Sequence, residues 1–315
     1  MPTTKIPTSE WLKDKLDRLV EMTEIVKKES PELYTEADPD YGFWSIKKEI
    51  ALMYWSYPFQ IIASKYFKSF YYIDLFAGSG LMKAENSFFV GSPIVAVNST
   101  LKDKPFSKYV CVEFDPIRKA VLEKRMEKVC NHFQTCNPNV LQADCNKEID
   151  TILKECGHQD DTCYLAFIDP QKYTDLKWNT LEKLLKHGKG DIILNFPTMS
   201  ITRNLGIEDC IPSLSDFIGD TQWTNLRIVN TDNVLEHFKR NIRKYRNEVD
   251  SLEVRDNLNH RLFDLVFATN SQGMKNVVDD LKKKLDTIHT KDIKGLYAVV
   301  AQGQKQMKDF FASSD

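Results

Sequence analysis

The chain has 315 residues with 43 Lys and Arg against 45 Asp and Glu, a formal charge of −2 and a pI near 6.3, which excludes a globally basic nucleic-acid coat. At 42% hydrophobic and 28% charged residues it can bury a sizeable core and is too apolar for disorder. The most apolar stretch, Ile50 to Phe70, is broken by Pro58, Gln60, Lys65 and Lys68, so no transmembrane helix is predicted. The opening MPTTKIPTSEWLKDKL lacks the apolar centre of a signal peptide, and a cytoplasmic location with reduced cysteines is expected. The seven cysteines include no CxxC pair. Cys156, His158 and Cys163 lie close together but lack a fourth ligand, so no metal is expected.

In chain order, Ser9 to Lys28 carries a helical apolar stripe (Trp11, Leu12, Leu16, Leu19, Val20, Met22, Ile25) behind a candidate N-cap at Ser9. A Pro-, Asp- and Tyr-rich loop leads to Trp44–Phe70, helical in period with a bend or break expected at Pro58. Residues 1–70 are read as an N-terminal helical cap, followed by an α/β domain over 71–315. From Tyr71, short apolar runs alternate with amphipathic stretches, the mark of βαβ units around a parallel sheet. Strands are predicted at Tyr71–Phe76, Tyr109–Glu113, Val140–Ala143, Cys163–Ile168 and Asp191–Phe196, with helices at Asp115–Cys130, Asn146–Glu155 and Leu176–His187. A helical insertion over about 198–260 precedes a strand at Leu262–Thr269, a helix at Met274–Leu285 and a last strand at Gly295–Ala301. The expected fold is a doubly wound, Rossmann-like α/β domain with seven strands.

Asp74-Leu75-Phe76-Ala77-Gly78-Ser79-Gly80 closes the first strand with an acid and a small, Gly-rich turn, where a ligand can approach the backbone. The turn continues as Leu81-Met82-Lys83, matching neither GxxxxGK[ST] nor GxGxxG, so a phosphate cradle is disfavoured. Three more strands end in acids: Glu113, suited to a ribose diol; Asp144, suited to an adenine amino group; and Asp169. Four strand ends carrying acids point to a nucleotide-like ligand, although each acid alone could simply cap the next helix, Asp144 above all. Asn195-Phe196-Pro197 either lines the site or merely ends its strand.

DLFAGSG followed by VEFDP, QAD and FIDP resembles the core of a class I S-adenosylmethionine-dependent methyltransferase over about Tyr71–Pro197. More narrowly, the chain resembles the three-Cys-motif partner protein family. That likeness rests on Trp44-Ser45-Ile46-Lys47-Lys48-Glu49, the Tyr72–Gly78 run, Gly91-Ser92-Pro93, Phe167-Ile168-Asp169-Pro170 with Trp178, Ile193–Pro197 and Leu265–Thr269 with Gly273. The resemblance implies a methyltransferase-type sheet binding S-adenosyl-L-methionine, paired with a radical-SAM-like protein that carries three cysteines. It puts Asp74, Phe76, Ala77, Gly78 and Gly80 around the methionine part of the cofactor, Glu113 on the ribose, Asp144 near the adenine, and Asp169 facing the transferred methyl. Asp169, Pro170, Tyr173 and Asn195 are the candidate catalytic residues. Two departures stand out. Leu81–Gly91 lengthens the path to Glu113 and is read as a candidate lid, and Gln171 occupies the place of the second proline of amino-group methyltransferases.

The expected function is methyl transfer to a nucleic acid or other macromolecule, with a non-catalytic scaffold for the partner as the alternative. An oxidoreductase would want the missing GxGxxG turn. Lys239, Arg240, Arg243, Lys244 and Arg246, interleaved with Phe238 and Tyr245, could contact nucleic acid, with a solvated helix face flanked by Glu236 and Glu248 as the default.

Overall fold

The computed structural model describes residues 8–29, 42–85, 87–134, 137–157, 161–256, 258–285, 288 and 292–302. His158, and with it the weighed Cys156–His158–Cys163 cluster, falls partly outside them. Among the described residues no group of three or more metal-ligating side chains comes together, and no helix is long and apolar enough to cross a membrane. Cys111, Cys145, Cys156, Cys163 and Cys210 are free thiols, whereas Cys130 is disulfide-bonded. Reduced thiols throughout were expected from the lack of an apolar leader, but the pairing of a given thiol is decided by proximity in the fold.

Two helices come first, α1 (Thr8–Glu29) and α2 (Ile46–Tyr66). Of the bend or break expected at Pro58, the break does not occur: α2 runs through it as one element, held by burial on nearly every face of its first half. Strand β1 (Ser69–Asp74) follows, then a hairpin of β2 (Leu81–Ala84) and β3 (Ser87–Val90), and α3 (Ser92–Asn98). Next come β4 (Lys108–Glu113), α4 (Pro116–Phe133), β5 (Pro138–Gln142), α5 (Cys145–Lys154), β6 (Thr162–Ile168), α6 (Trp178–Lys186) and β7 (Lys189–Phe196). Helices α7 (Thr198–Asn204), α8 (Ile211–Ile218) and α9 (Thr231–Ile242) precede β8 (Glu248–Arg255), β9 (Arg261–Thr269) and α10 (Gln272–Leu285).

The main sheet has seven strands in the order β5-β4-β1-β6-β7-β9-β8. The first five are parallel, and β9 runs antiparallel to both β7 and β8. The chain winds outward from β1 through β4 and β5, then returns to β6 on β1's other side, which makes the β1/β6 boundary the switch point where a ligand crevice opens. One continuous apolar cluster joins α1, α2, α3, α4, α10 and the hairpin on one face; α5 to α9 form the other.

The main sheet has seven strands, but not the seven anticipated. Residues 248–255, inside the expected helical insertion, form edge strand β8, while residues 292–302 are helical. The run Gly295–Ala301 is short and apolar, and periodicity cannot separate strand from helix there. Burial can, because Ile293, Tyr297 and Val300 are inside at helical spacing while Val299 is 64% exposed. The hairpin over Leu81–Val90 is not a free lid: Ala84, Phe89 and Val90 are fully buried, and β3 packs on α1.

Helix α2 is pinned to the sheet by Trp55, which is fully buried, stacks on Phe267 at 5.2 Å and donates its indole N–H to Asp191 at 3.1 Å. Burial lifts the Asp191 carboxyl to about 6 in spite of the hydrogen bonds from Thr269 and Trp55. Trp55→Phe should keep the stack and cost roughly 1–3 kcal/mol by leaving Asp191 short of a donor. Trp55→Ala should cost roughly 3–5 kcal/mol. Urea unfolding of the two variants would check the ranking, and a Trp55→Phe variant as stable as the intact protein would show that the indole N–H contributes nothing.

Candidate functional site

A cleft of about 400 Å³ opens at the carboxyl ends of the parallel strands, where the loops after β1, β4, β5 and β6 converge. Phe76, Ala77, Gly78, Gly80, Glu113, Asp144 and Asp169, all expected at the site, line it. The loop after β1 is shaped by two left-handed glycines, Gly78 at φ 63° and Gly80 at φ 85°. A Cβ at Gly80 would come within 3.0 Å of Leu122, whereas one at Gly78 would meet no protein atom within 4 Å. The bare side of Gly78 therefore leaves room for an occupant of the cleft.

Asp74 does not reach the cleft. It is fully buried under the loop, accepting hydrogen bonds from Tyr72 Oη at 2.9 Å, Ser92 Oγ at 2.7 Å and the Phe76 amide at 3.1 Å. It holds the Gly-rich turn and the start of α3 in place. Desolvation pushes its carboxyl up to about 7 against those three hydrogen bonds, and the charge of Asp169 adds to the rise.

Glu113 is spent on backbone: Oε2 accepts from Gly78 N and Oε1 from Asp115 N, both at 2.8 Å. Each oxygen keeps a further lone pair for a ligand hydroxyl. Beside it, the Phe114 ring is 71% exposed and lines the cleft. Asp144 serves both readings, capping α5 through Asn146 N at 3.0 Å while facing the cleft. Asn146 ties this side to the segment after β6: its Nδ2 donates to Asp175 O at 2.8 Å and its Oδ1 accepts from Lys177 N at 2.9 Å.

At the end of β6, Asp169 is held from two sides. Asn195 Nδ2 donates to its Oδ1 at 2.7 Å and to Pro170 O at 3.2 Å, and Lys48 forms an ion pair with its Oδ2. Asn195 thus acts through Asp169, and neither Asn195 nor Pro170 lines the cleft. Tyr173, the remaining candidate catalytic residue, is also absent from the lining. It is buried, with its hydroxyl at 3.5 Å from Ser213 Oγ, because the segment after β6 folds as a short helical turn over Tyr173–Asp175 that turns the ring inward.

The residues that sequence reasoning left without a role are Lys48 and Glu49 at the start of α2, Ser92, Phe114 and Asn146. The signal for the first two was present: Lys47-Lys48-Glu49 is a charged triplet in an otherwise apolar helix, and all three side chains are buried. Of the basic stretch, Arg246 is 2% exposed and donates to carbonyls of Gly190, Leu185 and Tyr245, and Lys239 pairs with Glu236. Only Arg240, Arg243 and Lys244 are exposed. The stretch sits beside the beginnings of β7 and β8, at the end of the sheet opposite the cleft.

Asp74 yields a pH test. Its folded value lies above the ordinary 3.8, so between about 4 and about 7 the folded state keeps a proton that the unfolded chain has lost. Stability of the ligand-free protein should therefore fall as pH rises through that window, by at most about 1.4 kcal/mol per pH unit for one proton. Asp74→Asn should flatten the slope without abolishing it, since Asp191 and Glu49 are raised as well. Melting temperatures at pH 5, 6 and 7 would check this, and an unchanged slope in Asp74→Asn would show that Asp74 titrates normally.

No family model matches the chain, and no curated protein matches it. Among solved structures it is similar to the protein LPL1258 of Legionella pneumophila, with 14% identity over 75% of this chain and 90% of that one at a TM-score of 0.46. It is also similar to an O-methyltransferase of Bacillus cereus in complex with SAH (10% identity, 79% and 90% covered, TM-score 0.41). A third similar structure is the plantazolicin methyltransferase BpumL in complex with SAH (12% identity, 89% and 94% covered, TM-score 0.36).

Proposed function

We propose that the chain binds S-adenosylmethionine in this cleft and transfers its methyl group to a nucleic acid or other macromolecule. The observation that carries the reading is the convergence of Glu113, Asp144 and Asp169, from three successive parallel strand ends, around the open left-handed turn at Gly78. The volume falls in the range of small-molecule sites. Glu113, its carboxylate already oriented by two backbone amides, would take the ribose diol, with the exposed Phe114 ring beside it for the adenine face. Asp144 would accept from the adenine amino group while remaining the cap of α5. When bound, the cofactor supplies an electrophilic methyl on a sulfonium, which needs alignment and shielding from water more than covalent help. Asp169, fixed by Asn195 and Lys48, faces the region where an acceptor would lie.

The same contacts favour a second reading. An exocyclic amino acceptor would have to share Asp169 and Pro170 O with Asn195 and Lys48, which already take one lone pair on each of those oxygens. Gln171, which lines the cleft, adds to the departure from amino-group enzymes. A methyltransferase-fold scaffold for a radical-SAM-like, three-Cys partner therefore remains the alternative, supported by the motif resemblance. A nucleic acid held by Arg240, Arg243 and Lys244 would bind away from the cleft.

Calorimetric titration with S-adenosylmethionine and S-adenosylhomocysteine tests the reading. Micromolar binding, about −8 kcal/mol, is expected for the intact protein. Gly78→Ala should fold at a cost of about 1–2 kcal/mol for its left-handed backbone and lose binding by filling the cleft. Asp169→Ala should weaken cofactor binding less than Gly78→Ala does and abolish turnover if the chain is an enzyme. An intact protein that binds neither ligand, alone or with the three-Cys partner, sinks the cofactor assignment.

A further inference from the structure

The first turn of α2 delivers to the cleft a carboxylate that belongs to no strand end. Glu49 is 1% exposed, lines the cleft, and has its Oε2 buried with no hydrogen-bond partner. Its charged and titratable surroundings come from three elements. They are Lys48 on α2, Asp74 with the Tyr72 phenol on β1, and Asp169 after β6. Lys48 is already paired with Asp169. Of the ionisable side chains lining the cleft, Glu49, Glu113, Asp144, Asp169 and Asp175 are acidic and Arg118 is basic. A position flanked by the fully buried Ile46 and Ile50 would hold an apolar residue if packing were its sole demand. The surplus of negative charge suits a ligand that brings a cation into the cleft.

We propose that Glu49 is a specificity residue for the cationic end of the cofactor, its carboxylate pairing with the incoming ammonium or sulfonium and its proton leaving to solvent as that group arrives. This rests on the cleft being the S-adenosylmethionine site. Burial raises the Glu49 carboxyl well above its ordinary value, Lys48 opposes the rise and Asp169 and Asp74 add to it, so the protonated form is favoured in the free protein. The exchange is balanced: the neutral acid becomes a carboxylate, the cofactor's charge is unchanged, and one proton passes to the buffer.

Titrating S-adenosylmethionine and S-adenosylhomocysteine in phosphate and in Tris at pH 7.5, two buffers of different ionisation enthalpy, counts that proton. The intact protein should release about one proton per bound S-adenosylmethionine. Glu49→Gln should release none and bind about tenfold more weakly, and Glu49→Asp should recover part of the release. Equal release with S-adenosylhomocysteine identifies the ammonium as the partner; release confined to S-adenosylmethionine identifies the sulfonium. Ligand-free Glu49→Gln should melt at or above the intact protein, because it removes a carboxyl without a partner. The proposal is overturned if Glu49→Gln releases as many protons as the intact protein, or if it binds normally and melts lower, which would make Glu49 structural. Absence of heat from both ligands in both buffers, with the intact protein alone and with the three-Cys partner, overturns the cofactor site itself, whereas binding without a proton difference overturns Glu49 alone.

Discussion

The buried carboxyl of Asp74 is the constraint around which this end of the molecule is arranged. One side chain takes hydrogen bonds from its own strand at Tyr72, from the turn at Phe76 and from the first residue of α3 at Ser92. A turn with two left-handed glycines has little to hold it by packing, since neither glycine has a side chain. Asp74 supplies the anchor from below and Glu113 supplies it from the side through Gly78 N. Arg125, fully buried on α4, completes the set by donating to Ser79 O at 2.9 Å. The bare backbone facing the cleft is thus fixed by three buried ionisable side chains reaching in from β1, β4 and α4.

Helix α2 links this frame to the segment after β6. Its Trp55 is fastened to β7 and β9 through Asp191 and Phe267, while its first turn sends Lys48 to Asp169 and Glu49 into the cleft. The N-terminal helices are therefore a wall of the cleft as well as a cover for the sheet. Lys48 also lies over the Phe263 ring at 5.4 Å, which carries the contact across to β9. Such an arrangement places opposite charges where water is scarce, and their mutual orientation depends on every neighbour being present.

Most of the parallel half of the sheet was legible in the sequence, because buried parallel strands are near-continuous apolar runs and each closes on an acid or a turn residue. Glu113, Asp144 and Asp169 could be placed at the cleft for the same reason. The antiparallel edge was harder to read. Val249, Leu252 and Val254 of β8 follow a helical stretch without a strong break, and the Gly295–Ala301 run mimics a strand over too few residues to show its period. Tyr173 and Asn195 failed as cleft residues for a different reason: strand ends fix where a backbone lies, whereas the direction of a side chain depends on a local turn and on its partners. Lys48 and Glu49 were hidden because nothing local relates the start of a helix to an acid 121 residues away.

The hairpin wall has a consequence for how the protein is made. Leu81 and Met82 line the cleft from β2, and their partner strand β3 is held by the helix over 292–302, where Tyr297 Oη donates to Phe88 O at 2.5 Å across 209 residues of sequence. Contacts of such separation form late, since the loop they close must first be paid for in chain entropy. During synthesis the five parallel strands can assemble while this wall still lacks its outer support. A nascent chain would therefore pass through a stage in which the hairpin leans on α1 alone, and this wall of the cleft would gain its last support only after residue 297 has left the ribosome.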